Sequence, residues 1–165
     1  MKRTLKILLC AALAAVLLIS LLPGCGQKMK EPVTFYYQVT DYQGTMACPI
    51  AGEEREVAGY RDNLKYLLTF YLMGPISQEL ASPLPQGTQL QSINQSSEEL
   101  TIEISDTAST LSDSAFSLAC ACLSMTCMGL TNAEAVTVVS GSRSLTLDKD
   151  NLLLSDTITP EENTK

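Results

Sequence analysis

Residues 7–22, ILLCAALAAVLLISLL, carry no charge, and Lys2, Arg3 and Lys6 precede them. A basic start followed by an apolar run is the pattern of a secretory signal, which takes no part in the folded domain. The run of 16 residues falls short of the roughly 20 that span a bilayer, so an uncleaved N-terminal anchor is the lesser reading. Removing residues 1–24 leaves 141 of the 165 residues. A chain of that size makes one domain and buries about two-thirds of its extended surface. Eight Lys+Arg then face 18 Asp+Glu, a net charge of −10. So acidic a domain does not hold nucleic acid phosphates unaided.

The leader closes on LLPGC. This resembles the lipobox of bacterial lipoproteins, in which a leucine and small residues precede a lipid-modified cysteine. Leu22, Gly24 and Cys25 fit, and Pro23 stands where alanine or serine is usual. The resemblance implies a diacylglycerol on the Cys25 thiol and cleavage before it. Several acyl chains at one residue anchor durably, because each buried CH₂ contributes about 0.8 kcal/mol. The expected partition is a signal peptide over 1–24, a lipidated tether over 25–32, a domain over 33–155 and a flexible acidic tail over 156–165. The expected location is the extracytoplasmic face of the cell membrane.

Four further cysteines belong to the exported domain: Cys48, Cys120, Cys122 and Cys127. Three of them lie in SLACACLSMTCMG, a helical pattern. On a helix, Cys120 and Cys122 point about 200° apart and Cys122 and Cys127 about 140° apart, while Cys120 and Cys127 are two turns apart. No pair among the three can bridge with the helix intact. With no histidine in the chain, the set also lacks the usual partners of a metal site. These thiols read as small apolar packing residues. A disulfide from Cys48 to one of them stays open.

The rest of the chain alternates between the two secondary-structure periods. Val33, Phe35, Tyr37 and Val39 alternate with polar residues as a strand, DYQG (41–44) reads as a turn, and a second short strand ends near Val57. RDNLKYLLTFYLMGP (61–75) places Leu64, Leu67, Leu68, Tyr71 and Leu72 at helical spacing and stops at Gly74-Pro75. A loop follows over 76–90. Thr88–Ile93 and Glu99–Ser105 form the arms of a hairpin around NQSS, with Leu100, Ile102 and Ile104 facing inward. SDSAFSLACACLSMTCMGLT (112–131) is a second helix, capped by Ser112 or Asp113 and ended by Gly129, with Phe116, Ala119, Cys120, Leu123 and Cys127 as its stripe. Strands over 135–141 and 144–147 and a DKDN turn complete the order. This predicts an α+β fold with a mixed, largely antiparallel sheet and two helices packed on one face.

From Phe35 to Leu147 these pieces resemble the GerMN domain of sporulation and spore-germination proteins. The likeness rests on the FYY strand, the helix ending at Gly74-Pro75, the run Leu84, Pro85, Gly87, Thr88 and Leu90, the second helix, and the valine-rich strand closing at Gly141. The resemblance implies a fold similar to ring-building modules and a non-catalytic part that packs against envelope or sporulation proteins. It implies structural roles for the motif residues and no catalytic ones. A homo-oligomer is among the assemblies it allows.

Other function classes have weaker support. Without histidine the Ser-His-Asp and Cys-His arrangements cannot be built, so the chain is not expected to be an enzyme. Glu53, Glu54 and Glu56, and Glu98 and Glu99 beside a turn, read as solvated charges rather than paired glycosidase carboxylates. Asp148, Asp150 and Asn151 lack the glycine and distal glutamate of a calcium loop and read as a turn. No cofactor and no metal are expected. Tyr36, Tyr42 and Tyr60 offer aromatic platforms for a cell-wall glycan or small ligand, which is the alternative function.

Overall fold

The alternation at the start of the domain is a strand, β1 (Pro32–Val39), with Val33, Phe35, Tyr37 and Val39 buried and the residues between them half exposed. It begins at Pro32, one residue inside the expected tether. The computed structural model describes residues 32–40, 48–57 and 59–152. The expected turn over 41–44, the leader and the acidic tail lie outside the described residues.

The expected α+β architecture is present and is divided over two sheets. In the first, β1 pairs antiparallel with β2 (Ile50–Glu56), from Pro32 opposite Glu56 to Gln38 opposite Ile50. The far end of β1 also pairs with β3, the dipeptide Leu80–Ala81 in a segment that reads as loop from sequence. The second sheet runs in the order β4 (Leu90–Gln95), β5 (Glu99–Ile104), β6 (Ala135–Ser140), β7 (Arg143–Asp148). Its hairpins are antiparallel, and β5 and β6 are parallel, joined by a 3-10 turn (Asp106–Thr110) and a helix. Such a crossover is what parallel neighbours require. Leu100, Ile102, Ile104, Val136 and Val138 fill its inner face. Its outer face carries short polar residues such as Thr101, Thr137 and Thr146, the last two hydrogen-bonded at 2.8 Å.

Helix α1 spans Leu64–Leu72, shorter at its start than the 61–75 pattern because Asn63 caps it: the Asn63 side chain accepts from Tyr66 N at 3.0 Å. A filled cap fixes where the helix begins, and Arg61 and Asp62 stay in the preceding turn. Gly74, at φ +92°, ends it as expected, a conformation that costs a side-chain-bearing residue about 1–2 kcal/mol.

Helix α2 (Asp113–Leu130) is capped by Ser112, whose hydroxyl accepts from Ala115 N. It does not end at Gly129 but runs one residue further, to Leu130. Its expected stripe is buried, and so are Cys122, Ser124, Met125 and Thr126, so six consecutive residues, 122–127, face protein on every side. A helix apolar all round is a core helix. It has the length and composition to cross a membrane, but half of it is buried within the domain. Its surroundings include the open edge of β1. Beyond the short β3, Tyr36 N has no strand partner among the described residues and donates to Thr126 Oγ1 at 2.9 Å. Covering an edge in this way satisfies a buried donor and blocks further strand pairing.

Candidate functional site

Alternation along β2 puts Glu53 and Arg55 on the same side of the strand, opposite Phe35 and Val33 of β1. That side is the core side. Arg55 is only 6% exposed, and its guanidinium lies 5.2–5.5 Å from the ring centres of Phe35, Tyr37 and Phe70. Its Nε donates to Glu53 Oε2 at 2.6 Å, the two side chains form an ion pair, and Nη2 donates to Gly74 O at 2.7 Å. The Glu53 carboxylate also accepts the main-chain N–H groups of Ile76 and Ser77. Glu53 is therefore not a solvated charge: its side chain is 12% exposed. Burial by itself would raise its carboxyl, but the Ser77 N–H and Arg55 outweigh burial and hold it below the ordinary value. The pair fastens the Gly74–Ser77 loop to the sheet. Sequence reasoning missed Arg55, although opposite charges two apart on a strand facing apolar partners were the available signal.

The residues singled out for family resemblance have structural positions. Thr88 folds back on Pro85, N–H and Oγ1 both reaching Pro85 O, and its hydroxyl lies 3.1 Å from that of Thr107 at the 3-10 turn. Gly87, at φ +86°, lets this turn close. Leu84 is buried and Leu90 opens β4. Pro75 follows Gly74 in the loop held by Glu53. Leu22, Pro23, Gly24 and Cys25 lie outside the described residues.

Cys120, Cys122 and Cys127 are buried and unpaired, as expected of packing thiols, and Cys48 is exposed and unpaired. Burial pushes the Cys120 and Cys122 thiols up to about 12 and Cys127 higher still, so none of the three is a nucleophile at neutral pH. Among the described residues no group of three or more His, Cys, Asp or Glu converges as a metal site. Asp148 accepts from Asn151 N at 2.8 Å, which makes the DKDN segment a turn.

Two surface features remain. Tyr60 and Tyr66 are 48% and 41% exposed and stack at 4.0 Å between ring centres, and Phe70 continues the row at 6.3 Å. Tyr36 is half-buried and Tyr42 lies outside the described residues. Of the three expected platforms, Tyr60 is thus the open one, and its partner is Tyr66. An open depression of about 500 Å³ lies between the start of α1, the β4–β5 turn and the end of α2, with Arg61, Asp62, Gln95, Ser97 and Asn132 in its wall.

No protein-family model matches the chain, and no curated protein matches it. Among solved structures, the chain is similar to the crystal structure of a "Putative Lipoprotein from Clostridium perfringens", at 20% identity and a TM-score of 0.46, over 73% of this chain and 89% of that one. A likeness at that level transfers no function.

Proposed function

We propose that the chain is a lipoprotein held at Cys25 on the extracytoplasmic face of the membrane, and that its domain is a non-catalytic GerMN-type interaction module serving envelope assembly, in sporulation or germination. The anchor reading rests on the apolar leader ending in Leu22-Pro23-Gly24-Cys25. The observation that carries the module reading is the second sheet. Among the described residues its two outer strands, β4 and β7, each pair on one side only, and its outer face holds short polar side chains. Such edges and faces suit lateral contact with another protein. The acidic net charge favours basic partners.

In-cell cross-linking of a tagged chain, recovered from the membrane fraction, tests this. The proposal expects one or two envelope proteins in stoichiometric amount, with linked peptides from β4 or β7. Recovery of glycan fragments without protein would replace it with the second reading, a glycan- or small-ligand-binding lipoprotein. The polar depression beside Asp62 and Asn132 favours that reading.

A further inference from the structure

The stacked tyrosines sit at one particular end of the domain. Pro32, the first residue of β1, pairs with Glu56, the last residue of β2. Tyr60 follows four residues later, in turns where Tyr60 N donates to Val57 O and Asn63 N donates to Tyr60 O. Asn63 caps α1, and Tyr66 stands in that helix's first turn. The exposed pair is therefore at the end of the domain where the chain enters from its N-terminal side. Between Cys25 and Pro32 there are seven residue steps, which fully extended reach about 25 Å. If Cys25 is anchored, this end cannot move far from the lipid headgroups, whereas the opposite end of β1, at Val39, lies seven residue steps further on.

We infer that Tyr60 and Tyr66 form a bilayer-docking surface, resting in the headgroup region of the leaflet that holds the Cys25 anchor. The inference rests on the anchor reading of Cys25. Tyrosine suits this layer because its ring is apolar and its hydroxyl stays wet, which is why it is enriched at membrane interfaces. Tyr60 and Tyr66 present two such rings side by side, and exposed Lys65 is the chain neighbour of Tyr66. Asp62 and Glu56 share that end, and the exported chain carries net −10. Ring burial therefore drives the contact, and it holds on neutral lipid. Docking would fix the orientation of the tethered domain and reduce the directions in which its other surfaces can meet partners.

The chain contains no tryptophan, so a single introduced indole is an unambiguous reporter. Mature lipidated protein carrying Tyr60→Trp or Tyr66→Trp is reconstituted into phosphatidylcholine vesicles containing lipids brominated near the headgroup. Gln78→Trp serves as the control, because Thr40 N donates to Glu79 O and places that loop at the opposite end of β1. Both tyrosine-site variants should lose roughly half their emission or more and shift to shorter wavelength, as expected of indoles at the interface, with the control unchanged. Vesicle flotation of each sample separates the two readings. Flotation without quenching at either tyrosine site overturns docking and leaves the anchor standing. Failure of the unsubstituted protein to float overturns the anchor, and docking with it.

Discussion

The main-chain N–H of Tyr36 donates to Thr126 Oγ1 at 2.9 Å across 90 residues of sequence, and the same hydroxyl donates to Cys122 O at 2.9 Å. One buried hydroxyl thus joins the open edge of β1 to the central helix. Thr126→Val keeps the shape and removes the acceptor, leaving a part-buried N–H unpaired, which costs about 1 kcal/mol or more. Thr126→Ser keeps the acceptor and should retain most of the stability. Urea unfolding of the two variants checks this; equal midpoints would show that the edge bond contributes nothing.

Glu53 and Arg55 give the fold a pH dependence. The Glu53 carboxyl is held below its ordinary value of 4.5 in the folded state. Its contribution is therefore present above that value and is lost as pH falls through the folded one. Glu53→Gln should lower the melting temperature at pH 7, and the gap to the unsubstituted chain should close on acidification. Arg55→Met should cost about 1–3 kcal/mol at neutral pH, because it removes the charge partner of Glu53 and the bond to Gly74 O and leaves the carboxylate with the Ile76 and Ser77 N–H groups alone. A Glu53→Gln gap that stays constant from pH 7 to acid would contradict the pairing.

Tyr71 reverses the usual expectation for a core substitution. Its ring stacks on Tyr37 at 4.8 Å, and its carbonyl accepts from Tyr37 Oη at 3.0 Å. Its own hydroxyl is buried with no hydrogen-bond partner among the described residues. Tyr71→Phe keeps the stack and removes the orphan, so stability should hold or rise by about 1 kcal/mol. Tyr37→Phe, which removes a made bond, should destabilise. Thermal melts of the two variants give the comparison directly.

Native thiol labelling distinguishes Cys48 from the rest. In the mature chain with Cys25→Ser, maleimide at neutral pH should modify Cys48 and leave Cys120, Cys122 and Cys127 untouched, since burial keeps them protonated and covered. Unfolding in urea should release all three. Intact mass before and after unfolding reads the result; rapid native labelling at Cys122 would show that α2 is not held as described.

Where one residue type decides local structure, the sequence was readable. The β1 alternation, the Gly74 stop, a cap at Ser112 or Asp113 and the β4–β5 hairpin each follow from a period or a terminal residue, although β4 runs over Leu90–Gln95, two residues further along than the 88–93 pattern. The failures came from tertiary context. β3 is two residues long and exists only because Gln38 and Val39 offer an edge. The all-round burial of α2 includes Ser124 and Thr126, polar residues that mark a solvent face in a helical pattern, and Thr126 is reached there by β1 through Tyr36 N. Glu53 looked solvated because its partners, Arg55 apart, are main-chain N–H groups more than twenty residues away. Of the candidate surface, Tyr60 was legible as an aromatic platform, but its stacking on Tyr66 was not, because the two lie six residues apart and meet only through the turn that leads into the Asn63-capped start of α1.

Anchoring and docking both depend on Cys25, and the direct measurement is the mass of the mature N-terminus in protein taken from the membrane fraction. A lipid anchor at Cys25 predicts a chain beginning at that residue with a diacylglyceryl thioether, and a Cys25→Ser form that leaves the membrane fraction. An N-terminal peptide in which residues 22–25 are still joined, with a free thiol at Cys25, would contradict it.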